Sequence, residues 1–177
     1  MVFNFSFFIK FLIEFLFSFF IVGLSFFVHE LAHKIAAKKF RLDAEYQSNK
    51  EMLFFGLITS FFGFVFLSPG GVFIRGNISN KKNLFISLAG PLTNLFIAAS
   101  FIFALTILSF FNVFFVYFSS IILFIISMIK INSFLAFFNF LPISGFDGYQ
   151  IFKINKKVYF SFFIFSLIIW FYTIIVY

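Results

Sequence analysis

The chain contains no cysteine, only two histidines, three prolines and six acidic residues in 177 positions. Without cysteine there are no disulfides, no thiolate metal ligands and no thiol nucleophile, so a transition metal would have to be held by imidazole and carboxylate. Charged residues make up 11% of the chain, too few to cover a soluble domain of this length, and no Pro- or Ser-rich linker or internal repeat divides it. The net charge of +7 is modest and scattered over connecting segments. That distribution suits an anionic membrane surface and offers no basic face to a nucleic acid.

Apolar residues make up 63% of the chain and mean hydropathy is +1.12. A bilayer crossing needs about 20 apolar residues, and runs of that length lie at Phe15–Lys38, Leu84–Phe110, Val113–Phe138 and Tyr159–Val176. The reading is an all-α polytopic membrane protein, a bundle of about four transmembrane helices forming a single domain over residues 1–177. The 40 phenylalanines, alongside many Ile, Asn and Lys, fit an AT-rich coding bias and carry no function. The first apolar run is not preceded by a small-residue cleavage site and is expected to be retained.

Basic residues cluster at Lys34–Lys50, at Arg75–Lys82 and at Lys153–Lys157. If Met52–Leu67 crossed the membrane, the second and third clusters would lie opposite the first. A re-entrant Met52–Leu67 puts all three on one face, as the orientation rule prefers. The segment is short for a span and runs into Ser68-Pro69-Gly70-Gly71, a turn signal. The expectation is therefore a re-entrant segment, an N-terminus outside and basic loops in the cytoplasm, in the plasma membrane of a prokaryote. Val72-Phe73-Ile74 reads as a short β-loop strand whose edge could hold an extended peptide.

Both histidines lie in His29-Glu30-Leu31-Ala32-His33, inside the first apolar run. At helical pitch, residues four apart lie one above the other, so both imidazoles can reach one ion. Glu30 then sits beside that ion as a general base for an attacking water, the arrangement of HExxH zinc hydrolases. A catalytic zinc takes three protein ligands and keeps one position open. With both histidines used, the third ligand must be a carboxylate. Glu14 is about four turns away along the same helix, and Asp43, Glu45 and Glu51 read more simply as solvated partners of Lys38, Lys39 and Lys50. Asp147 stands apart, within Asn139-Phe-Leu-Pro142-Ile-Ser-Gly-Phe-Asp147-Gly148.

These residues resemble the site-2 proteases, intramembrane zinc metalloproteases that join HExxH to a distant Asn-x-x-Pro-x4-Asp-Gly. Asn139, Pro142, Asp147 and Gly148 match that second motif, and Gly90-Pro91 followed by Asn94 resembles a Gly-Pro element found between the two. The resemblance runs from Phe27 to Ile151. It implies one Zn2+ bound by His29, His33 and Asp147, Glu30 as catalytic base, and substrate or oxyanion support from Asn139 and Asn94. The substrates would be transmembrane proteins, cut within the lipid bilayer nearer the cytoplasmic face. No regulatory domain of the PDZ type is expected. Two other readings stand beside it: another kind of membrane zinc protease, and a metal-binding or transport protein without proteolysis. Gly90 and Pro91 also admit a plain reading, a helix start where small residues allow close packing.

Overall fold

The computed structural model describes residues 5–48, 50, 54, 70–75, 78–110 and 119–177. In a hydrocarbon layer the backbone must satisfy its own polar groups, and a continuous helix does so within one segment. Four such helices are long and apolar enough to cross a membrane: α1 (Phe5–Lys39), α2 (Asn80–Phe110), α3 (Ser119–Asn139) and α5 (Lys156–Val176), with a short α4 (Asp147–Ile154) before the last. The protein is thus an all-α, multi-pass membrane protein. Helices α1, α2 and α5 cover their expected apolar runs and α3 covers its run from Ser119 on, the residues before it lying outside the described ones; α1 and α2 begin earlier than hydropathy suggests, because Lys10 and Lys81 are tolerated near helix ends where their side chains can reach water.

Burial is inverted relative to a protein folded in water. Phe7, Phe19, Phe96, Phe103 and Ile175 are exposed, while Ser25, Asn94, Asn132, Ser133, Ser166 and Thr173 are buried. Apolar side chains gain nothing by leaving lipid, so polar groups find one another between helices. Asn132 Nδ2 donates to Ser25 Oγ at 3.0 Å, joining α3 to α1, and the Ser133 and Thr173 hydroxyls pair at 3.0 Å, joining α3 to α5. Trp170 of α5 stacks on Phe137 of α3 with centroids 4.6 Å apart.

After α1 the chain turns through Arg41, at φ 58°, with Leu42 N–H bonded to Ala37 C=O at 3.2 Å. This is a left-handed helix stop built on a residue other than glycine. The turn leads into β1 (Asp43–Ser48), which pairs antiparallel with β2 (Gly70–Arg75). The strand expected at Val72–Ile74 is present and longer, and the acidic segment read as a loop is its partner. Ala44, Val72 and Ile74 pack with Ala37 and Ile86, so the hairpin lies against the ends of α1 and α2.

The expected re-entrant segment Met52–Leu67 lies outside the described residues. Its flanks do not: Ser48 pairs with Gly70. A second apolar cluster, of Leu88, Leu95, Ala136, Phe140, Ile151 and Tyr159, ties α2 through α5 together beside the hairpin end. Asn155 ends α4 and caps α5, accepting from Val158 N–H at 3.1 Å.

Candidate metal centre

The inward face of α1 is a stripe at one-turn steps, Ile21, Ser25, His29, His33 and Ala37, all buried. It packs on α2. His33 Nδ1 lies 2.7 Å from the carbonyl of Ile86. A carbonyl can only accept, so Nδ1 carries a proton, and in the neutral imidazole Nε2 keeps a lone pair. That atom is 3.1 Å from His29 Nε2 and 3.2 Å from Asp147 Oδ2, and His29 Nε2 is likewise 3.2 Å from Asp147 Oδ2.

A tetrahedral zinc with bonds of about 2.0–2.1 Å keeps its ligand atoms about 3.3 Å apart. The triangle has that size. With His33 in the tautomer that Ile86 imposes, acceptor atoms converge on a common point, an arrangement that a cation relieves. His29, His33 and Asp147 are the group among the described residues that could hold a metal ion.

Glycines make the triangle possible. A Cβ on Gly90 would fall on Nε2 of both histidines, so α2 approaches α1 at the ligand atoms only because that side chain is missing. Gly90 and Pro91 lie inside α2, not at a helix start. Pro91 withholds the N–H that would bond Ser87 C=O, next to the Ile86 carbonyl that orients His33. Gly148 plays the same part for α4, since a Cβ there would strike the Phe140 and Leu141 carbonyls at the end of α3. A turn through Gly145, at φ 101°, lets Phe146 precede the helix in extended conformation and brings Asp147 in as its first residue.

Glu30 is partly buried. Its carboxylate accepts a hydrogen bond from the Val72 backbone N–H of β2, and its Oε2 has no partner. Asn139, at the end of α3, donates to Leu135 C=O at 2.9 Å. Asn94 is fully buried, and neither of its amide atoms has a hydrogen-bond partner. Asp43 and Glu45 lie in β1 and are exposed, and Glu14 is exposed 3.9 Å from Lys10. None of these three joins the group. Residue types alone do not reveal the Ile86 carbonyl, because every residue has one. The contact of Gly90 with both imidazoles is equally hidden, although the Gly-Pro pair marked the place.

No solved structure matches the chain. A protein of Methanocaldococcus jannaschii named "Putative zinc metalloprotease" is 37% identical over 150 residues, covering 84% of this chain and 75% of the relative. The sequence model of Peptidase family M50 matches residues 17–158, a stretch that contains both motifs and the whole triangle. The chain belongs to peptidase family M50, the site-2 protease family, and is a membrane metalloprotease.

Proposed function

We propose that the chain is an intramembrane zinc metalloprotease that hydrolyses peptide bonds of transmembrane substrates, with His29, His33 and Asp147 holding one zinc ion and Glu30 as general base. The observation that carries this reading is the triangle of ligand atoms of tetrahedral size with a carboxylate beside it. A bound zinc supplies Lewis-acid polarisation of water and of the scissile carbonyl. His29 is ten residues before Lys39, the last residue of α1, about 15 Å at helical rise, so the reaction would take place within the bilayer.

Glu30 takes the proton of the attacking water through the oxygen that has no partner and passes it to the leaving amine. Asn139 spends one amide hydrogen on Leu135 and offers the other to the developing oxyanion. A transmembrane helix hides its peptide groups in internal hydrogen bonds, so a substrate must unwind before it can react. The β2 strand, whose Val72 N–H reaches the Glu30 carboxylate, holds the unwound segment by main-chain bonds. The basic clusters face the cytoplasm, and water and substrate enter from that side.

Zinc quantitation together with cleavage of a transmembrane substrate tests the reading. Glu30→Gln is expected to keep stoichiometric zinc and lose at least about 100-fold in turnover, while Asp147→Ala loses the zinc. Stoichiometric zinc in Asp147→Ala, or undiminished cleavage by Glu30→Gln, would overturn it.

A further inference from the structure

Among the described residues, five buried side-chain polar atoms lack a hydrogen bond: His29 Nδ1, Glu30 Oε2, both amide atoms of Asn94, and Asn132 Oδ1. The base role proposed above uses Glu30 Oε2. The other four belong to three helices, and buried polar groups without partners are rare enough in folded proteins to require an explanation.

The two histidines are not oriented alike. His33 has the Ile86 carbonyl on Nδ1; His29 has no main-chain partner there. Helices α1 and α2 run antiparallel, with Ile86 at His33 and Gly90 facing both imidazoles. One turn further along α2, Asn94 therefore stands level with His29 and Ser25. Asn94 interacts with His29, and it is wholly inaccessible to solvent.

We propose that Asn94 is the positioning residue of His29, its side-chain carbonyl accepting the Nδ1–H and so fixing the tautomer whose Nε2 faces His33 and Asp147. The Asn94 amide hydrogens are then left for Asn132 Oδ1, the buried acceptor still without a donor. Asn132 is itself anchored by Ser25 Oγ at 3.0 Å and by Met128 C=O at 2.9 Å. One ligand is thus oriented by main chain and the other by a side-chain relay from α2 to α3. Which amide atom faces the ring is set by this hydrogen-bond logic, because oxygen and nitrogen are otherwise interchangeable in shape.

The inference rests on His29 binding zinc, and its test separates the two. Zinc affinity is measured by chelator competition on purified wild type, Asn94→Leu and Asn94→Asp, and the His29 tautomer is read by 15N NMR of histidine-labelled protein. Asn94→Leu keeps the volume but removes the acceptor, and is expected to weaken zinc binding about 10–100-fold and to lose the ordered Nδ1–H signal. Asn94→Asp restores an acceptor and is expected to restore both. Wild-type affinity and tautomer in Asn94→Leu would overturn the proposal. If Asn94→Leu does not fold, zinc lost from folded Asn94→Asp would overturn it instead. Failure of the wild type to bind zinc would defeat the metal-centre reading beneath it.

Discussion

At the scale of single residues, the site depends as much on a missing side chain as on those present. Gly90 is the point where α2 touches the imidazoles of both His29 and His33, and a methyl group there would occupy the space of the Nε2 atoms. Gly90→Ala is expected to fold, because alanine favours a helix more than glycine does, yet to lose zinc affinity by more than about 10-fold, the effect of disturbing ligand orientation. Isothermal titration with zinc checks this, and unchanged affinity would show that the helices can move apart at no cost. The three residues that could hold a metal ion were legible in the sequence. His29 and His33 announce their shared face by spacing, and Asp147 by its place in a second motif. The Ile86 carbonyl was not legible, since a main-chain acceptor leaves no trace in residue type.

At the scale of elements, α4 and the hairpin deliver groups that α1 cannot supply. Asp147 reaches the histidines because α4 starts hard against the end of α3, where Gly148 meets the Phe140 and Leu141 carbonyls. Gly148→Ala is expected to cost about 1–3 kcal/mol by overpacking and to release zinc as Asp147 is pushed away. Thermal unfolding in detergent, with and without zinc, measures both effects. For the hairpin, Val72→Pro removes the N–H that meets Glu30 and that a paired peptide would share. Cleavage of a transmembrane substrate should fall while zinc content stays unchanged; full cleavage would sink the strand's proposed role. Hydropathy and turn signals marked β2 at Val72–Ile74, but β1 was hidden by its acidic, solvated residues. Asp43 and Glu45 face outward while Ala44 is buried, an alternation too short to distinguish from a loop.

At the scale of the whole molecule, the bundle gathers chemistry and charge at one end. The end of α1, the start of α2, the end of α3 and the start of α5 lie together around the hairpin and Asp147. Leu105, Ile125 and Tyr177 pack at the other end. The three basic clusters therefore share a side. The absence of native cysteine permits a clean test by single-cysteine labelling. Lys50→Cys, Lys82→Cys and Lys157→Cys should all react with an impermeant maleimide from one side of sealed vesicles, and Lys10→Cys from the other. A split among the first three would break the topology. The membrane class, the four spans and the residues that could bind metal were determined by sequence alone, because hydropathy and helical spacing are local and need no knowledge of distant contacts. Only the tertiary structure decided that Asp147 comes within 3.2 Å of both imidazoles, that Gly90 provides the space for them, and that Ser48 and Gly70 close the hairpin. Each of these joins positions far apart in the chain, and such distances are set by packing between helices.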